Sequence, residues 1–516
     1  MTFQWNRRGV LKAGAATVAA TAVAPTAKAM GGKRGGRLRL GLAGANTSDS
    51  WDGRTHSDSF MIMCAHGAVF DCLTEIGADG QLKGELAESW EASADAKTWT
   101  FNLRQGVTFH NGKPFTADDV IASLNMHTEE GSKSAAQPIV AAIQEMKKMG
   151  DHQIQMTLES GNADFPFLLS DYHILIYPAG QIDEAIANGI GTGLYKVVSF
   201  DPGVRFVGER VADHYKGDEA GYFDEVEAIA INEASPRMNA LMTGQVDVVN
   251  RVDFDTEALM KANPNVEIFE VTGNQHFTFP MLTNLSPFDN LQVRRALKHA
   301  INRQEMVDKI LQGHGAVAND HPIGPANQFY ASDLPQNEYD PELAKSILAD
   351  AGLDGLRVDL SAANAAFPGA VDAAQLYQAA ARPAGIEINV VQEPDDGYWS
   401  NVWLKKPWCA CYWSGRATED WMFSTAYETG VPWNDTGWEN ARFQDLLLTA
   451  RAELDSGKRR DMYTEMQALL SAEGGSVIPM YANYVDAKST ALSHGENIGN
   501  NFQMDGSRLM ERWWFA

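Results

Sequence analysis

Cysteine is scarce in this chain: four residues in 516, with no C-x-x-C pair, so a thioredoxin-like redox site is excluded. Cys64 and Cys72 have a spacing that permits a disulfide, and Cys409 and Cys411 share one face of a strand. Spacing alone leaves both pairs open. Outside the N-terminus there is no Lys/Arg cluster, and the net charge is −25, a field that repels polyanions and excludes nucleic acid as a partner. No apolar run reaches the roughly 20 strongly hydrophobic residues that a membrane-spanning helix needs. There is no H-E-x-x-H zinc motif and no G-x-S-x-G nucleophile elbow. GIGTG (189–193) mimics a phosphate loop, but LYKVV after it has a strand pattern where such a loop needs a helix N-terminus. Repeats and low-complexity segments are absent as well. The adjacent acid pairs Asp118/Asp119 and Asp395/Asp396 read as caps and turns, since neighbours in sequence rarely face a common substrate. Together these absences argue against an enzyme.

An apolar fraction of 44% and a charged fraction of 21% describe a folded protein. Its length exceeds the roughly 250–300 residues at which one hydrophobic core stops growing, so at least two lobes are expected. The N-terminus reads as an address. NRRGVLKAG (6–14) sets Arg7 and Arg8 ahead of an Ala-rich stretch that ends with Ala27 and Ala29 at A-x-A spacing. This is the pattern of a twin-arginine export signal over residues 1–29. The segment holds four cations and no acid, so its removal takes the charge from −25 to about −29. No cysteine follows the cleavage point to carry a lipid, which makes the expected location the periplasm.

Downstream, strand and helix periods alternate. GRLRLGLAG (36–44) predicts a first strand, and SFMIMCAHGAVFDCL (59–73) has helical spacing. Residues 88–127 predict two strands and then a helix capped near Thr116, with Asp118 and Asp119 in its first turn. IGTGLYKVVSF (190–200) is a turn into a strand, and residues 235–252 are a helix, a Gly stop and a strand. VRRALKHAINRQEMVDKIL (293–311) predicts one long amphipathic helix; residues 371–392 predict a helix, a break at Pro383 and a strand. The fold class is α/β with mixed sheets in more than one lobe. MIMCAH offers metal-type ligands, yet Met63 and Cys64 share helical spacing with Phe60 and Gly67, which is core spacing.

The runs LAESW, LRQGVTFHNGKPFTADDV, GTGLYKVV, MNALMTGQVDVV and VRRALKHAINRQEMVD, in this order, resemble the peptide/opine/nickel class of extracellular solute-binding proteins that serve ABC importers (family 5). The resemblance spans nearly all of the chain after residue 29. It implies a two-lobed periplasmic binding protein fold, with a hinge and a ligand cleft. It places lobe I at 30–278 with a return at 485–516, lobe II at 279–484, and crossings near 276–284 and 476–485. It also implies a monomer, a small-molecule ligand, an inner-membrane ABC permease as partner, and no cofactor.

YWSGRATEDW (412–421) is the stretch most suited to a site. A strand pattern ends at Trp413, and Ser414 and Gly415 open it into a loop, where ligands of α/β lobes bind. In the family this strand end commonly reads W-x-x-D or W-x-G-D, and in peptide binders the acid holds the ligand's ammonium. Here Arg416 takes that position and reverses the sign of the site. The loop SAANAAF (361–367), about where dipeptide binders carry an arginine for the peptide C-terminus, has no charge. A permanently charged planar guanidinium suits a carboxylate or phosphate, unless Glu419 or Asp420 neutralises it. Trp399, Trp413, Trp421 and Tyr412 supply flat apolar faces. Asn46 and Thr47, after the first strand, are candidates for the opposing wall, and His276 for the first crossing. The expected activity is capture of a small organic solute with an anionic group. An oligopeptide, glutathione-like or opine ligand on the same fold is the alternative, and a metal or metal-chelate carrier is the alternative of another class.

Overall fold

The computed structural model describes residues 32–56, 58–394 and 398–516. The predicted export signal lies outside the described residues, as does the Asp395/Asp396 pair. Among the described residues the largest sheet has nine strands: β1 (Arg37–Leu42), β2 (Tyr195–Asp201), β3 (Arg205–Arg210), β4 (Glu225–Ala230), β5 (Val248–Val249), β6 (Val266–Pro280), β7 (Gly315–Val317), β8 (Cys411–Trp413) and β9 (Ser476–Ser489). Its order is β8-β6-β9-β5-β1-β4-β3-β2, with β7 also pairing β9. β1 runs parallel to β4 and β5, whereas β6 is antiparallel to both β8 and β9, so the sheet is mixed.

The predicted elements near the N-terminus form where periodicity put them. β1 alternates apolar and charged residues, and Leu38, Leu40 and Leu42 are buried. The two strands Ala87–Ala92 and Thr98–Leu103 join a four-stranded antiparallel sheet. The helix Ala117–Asn125 starts with a capping box between Thr116 and Asp119. Residues 59–73 form the helix Ser59–Cys64 and a wider turn, Ala65–Val69, before the chain extends.

One expectation is corrected. Residues 293–311 form two helices, Leu291–His299 and Arg303–Lys309. The Asn302 side chain accepts from the Glu305 amide at 3.2 Å and so caps a new helix where the apolar period runs on unbroken.

The apolar cores divide along the chain. Three clusters draw on residues 38–269, 485–487 and 492–513, while three others draw on residues 277–482. The antiparallel pair β6 and β9 runs between these groups, from Val266 opposite Ser489 to Pro280 opposite Ser476, and its register shifts twice, between Val271 and Gln275 and between Phe277 and Phe279. The wider break lies between Val271 and Gln275, where Thr272, Gly273 and Asn274 are left outside the pairing.

Candidate functional site

The site is built where the edge strand β8 ends. His276 of β6 lies opposite Trp413 of β8 and opposite Tyr481 of β9. Past Trp413 the chain turns through Ser414–Ala417 into the helix Glu419–Ala426, whose first turn Thr418 caps by accepting from the Trp421 amide. Gly415 presses on the ladder break of β6. A Cβ there would lie 2.0 Å from Asn274 Cγ and 2.2 Å from its carbonyl oxygen, so only glycine fits. Asn274 Nδ2 donates to the Arg416 carbonyl at 3.1 Å, and Tyr484 Oη donates to Asn274 Oδ1 at 3.2 Å.

Arg416 is half-buried. Its guanidinium donates to the carbonyls of Ser414 (2.8 Å) and Gly415 (3.3 Å) and stands 5.6 Å from the Trp421 ring centroid. Neither predicted intramolecular partner pairs with it: Glu419 accepts from the Phe329 amide at 2.7 Å, and Asp420 pairs with Arg451 at 3.0 Å. No carboxylate lies within ion-pair distance of Arg416 among the described residues. The field of this cation reaches Asp171, Tyr172, Tyr412 and Tyr484. Burial pushes the Asp171 carboxyl up, but His173 and then Arg416 pull it below its ordinary range. Burial raises the Tyr172, Tyr412 and Tyr484 phenols, and Arg416 moderates each rise.

His276 is fully buried, and neither ring nitrogen has a hydrogen-bond partner. Burial, then His321 and Arg416, push its pKa down to about 3, so the imidazole is neutral. Such a group beside a cation is an unusual buried expense.

The facing wall comes from distant segments. Tyr172 meets the Phe502 ring at 5.9 Å, and Phe502 meets Tyr484 at 6.4 Å. Phe502 leads into Met504, Asp505, Gly506 and Ser507, four consecutive residues with φ between 55° and 64°. This left-handed turn is held by Asp486, which accepts from the Met504 amide and from the amide of Arg251 (φ 54°), each at 3.0 Å. Left-handed backbone at non-glycine residues costs energy and concentrates at functional sites.

The other predicted residues separate. Trp413 is only 5% exposed, and its indole N–H donates to Asp435 Oδ2 at 3.1 Å, which makes it a core residue instead of an open platform. Trp399 and Tyr412 are exposed. Trp421 is half-buried beneath Arg416. Asn46 and Thr47 are exposed and pack over Gly203 in the β2–β3 turn, at the other end of the sheet from β8. No described contact joins them to Arg416. Residues that the sequence did not single out are Tyr172, Asn274, Tyr484 and Phe502. Asn274 alone carried a signal, the G-N pair interrupting a strand pattern.

All four cysteines are free and buried. Met63 and Cys64 are core residues, and His66 is bonded to Ser507 Oγ at 2.9 Å and to Arg508 at 3.0 Å. Asp71, Glu85 and Glu511 converge closely enough to hold a metal ion. Lys216 already lies 3.2, 2.7 and 3.0 Å from them, and Arg508 pairs with Glu85 at 2.7 Å, so this cluster carries its own cations.

A mixed α/β molecule with two core groups joined by paired crossing strands, and a polar site where those strands meet an edge strand, has the two-lobed architecture of a periplasmic binding protein. The family model for bacterial extracellular solute-binding proteins, family 5 (middle), matches residues 81–435, and the chain belongs to that family. It is 27% identical over 453 residues to the dipeptide-binding protein of Escherichia coli K12, covering 78% of this chain and 81% of that one. Among solved structures, HbpA2 from Haemophilus parasuis superposes with a TM-score of 0.79 at 22% identity, over 89% of this chain and 96% of that one. AgaA from A. tumefaciens R10 in complex with agropinic acid superposes with a TM-score of 0.77 at 23% identity, over 93% of this chain and 99% of that one. No described helix is long and apolar enough to cross a membrane.

Proposed function

We propose that the chain is the periplasmic solute-binding component of an ABC importer, and that it captures a small organic solute bearing an anionic group. One observation carries the ligand reading: the guanidinium of Arg416, half-buried at the end of the edge strand, donates among the described residues only to carbonyls of its own turn and has no described acid within ion-pair distance. A guanidinium held this way offers its remaining donors to a carboxylate or phosphate, and partial burial strengthens the pair. The agropinic acid complex of a structural relative supports an organic acid as a type of ligand this fold accommodates. The division of the cores supports lobe I at 30–278 and 485–516 and lobe II at 279–484. Ligand contacts made only with the lobes closed would shift the hinge equilibrium, and the closed surface would be read by the permease. Binding of this kind needs no turnover.

The test is a thermal-shift screen of the exported chain against peptides, opines, amino-acid derivatives, sugar acids, quaternary amines and metals. A ligand at a hundred times its Kd stabilises the fold by about 2.7 kcal/mol. Organic anions are expected to raise the Tm of the wild type and not of Arg416→Ala. Shifts given only by cations or neutral compounds, or an unchanged response in Arg416→Ala, would overturn the reading.

A further inference from the structure

The strand that leads to Arg416 is ringed by aromatic side chains on both faces. Tyr412, on one face of β8, meets Trp399 at 5.5 Å, and Trp399 meets Trp403 at 5.8 Å. Trp403 in turn meets Trp413, on the other face of the strand, at 6.1 Å and Trp433 at 5.9 Å. β8 ends the sheet order, so the row wraps an outer edge. Trp399, Tyr412 and Trp433 are 40%, 38% and 47% exposed. Single exposed aromatics need no explanation. Three joined through Trp403, on and around the strand that leads to a cation without an acid, form a surface suited to a ligand.

The row is also anchored from beneath. Asp435 is 3% exposed, and its Oδ2 accepts the indole N–H of both Trp403 and Trp413 at 3.1 Å. No Lys or Arg pairs with it among the described residues, and its Oδ1 has no partner. A buried carboxylate without a cation is costly. What it provides is orientation, because two indoles that share one acceptor are fixed relative to each other. Trp399 and Trp433 stand at 82° and 74° to Trp403, edge to face, which leaves ring surface of both uncovered. The row begins at Tyr412, on β8 two residues before Ser414, whose carbonyl accepts from the Arg416 guanidinium at 2.8 Å, so the rings and the cation share one strand end.

We propose that this aromatic row is a specificity subsite that seats a flat aryl arm of the anion held by Arg416. In it, Asp435 is the positioning residue that locks Trp403 and Trp413 behind the exposed rings of Trp399 and Trp433. The inference rests on the reading of Arg416 as the anion anchor, and the experiment separates the two.

The probes are N-acetylglycine, N-benzoylglycine and N-benzoylglycinamide, measured by calorimetry and by tryptophan fluorescence. The first pair varies the arm at constant charge, and the second pair removes the charge at constant arm. For the wild type the benzoyl acid is expected to bind about tenfold more tightly than the acetyl acid. In Trp399→Ala and Trp433→Ala, both exposed positions where folding is not at risk, that ratio falls toward one while acetyl binding is kept. Asp435→Asn retains an acceptor oxygen and keeps the ratio, whereas Asp435→Ala loses it. A wild-type ratio near one, or a ratio unchanged in both tryptophan variants, overturns the subsite while leaving the anchor standing. Equal binding of the benzoyl acid and its amide, or of the acid by wild type and Arg416→Ala, overturns the anchor instead and the subsite with it.

Discussion

Asn274 holds the turn that carries Arg416: its side-chain amide donates to the Arg416 carbonyl at 3.1 Å while its backbone and Cγ exclude any side chain at position 415. Gly415→Ala must therefore displace the turn or the ladder break. We expect a loss of about 1–3 kcal/mol, typical of overpacking, with weakened binding of anionic ligands. Chemical denaturation and calorimetry of the variant check both parts.

Trp413 and Trp433 sit 6.0 Å apart and are expected to behave differently. Trp413→Ala empties a core position and should cost about 3–5 kcal/mol. Trp433→Ala, at an exposed ring, should lie near the ±0.5 kcal/mol usual for surface substitutions. Urea unfolding of the two variants provides the comparison.

Arg459 and Asp164 form a buried ion pair between the two core groups, since Tyr463 beside Arg459 belongs to the later one and Phe165 beside Asp164 to the earlier. The Ala163 amide adds a 2.6 Å bond to the Arg451 carbonyl. Asp164→Asn leaves a buried guanidinium without its acid, a change worth about 3–5 kcal/mol when a buried pair is broken from one side. We expect a more open ligand-free protein, measured as a larger radius of gyration by small-angle scattering.

Glu419 is 2% exposed, and burial pushes its carboxyl up to about 7, with the Phe329 amide opposing. The folded protein therefore holds this proton more tightly than the unfolded chain, whose glutamate titrates near 4.5. Its contribution to stability is fully present below pH 4.5 and is lost as pH rises through about 7. Glu419→Gln removes that dependence. Between pH 5 and 8 the wild type should lose on the order of 2–3 kcal/mol relative to the variant, read from paired denaturation curves.

Buried thiols are inert, and burial raises the pKa of each cysteine here. An aromatic disulfide reagent should label none of the four in the native protein and all four in guanidinium. Native labelling of any would show that its segment opens.

Much of this architecture was legible locally. β1, the Thr116 cap and the break at Pro383 follow from side-chain period and capping chemistry, which act over a few residues. The helix that divides at Asn302 shows the limit, since its apolar period continues while one side chain restarts the hydrogen bonding. At the site, Arg416 was visible because a charge at a strand end is a local signal. Trp403, Trp433 and Asp435 were not, because their meaning comes from meeting Trp413 across a fold in the chain. Asp171 and Tyr172 lie some 240 residues before the arginine whose field reaches them, and no spacing rule spans that distance.

The gap in the β6–β9 ladder gives the molecule a built-in crease. A two-stranded ribbon flexes most readily where its rungs are missing, and here they are missing around Asn274, the residue that grips the Arg416 turn. Any flexing at the crease must drag the arginine with it. On the proposed reading of Arg416 as the anion anchor, the grip on a ligand and the angle between the two halves become one mechanical variable, and a tight-binding anion would act as a splint across the crease.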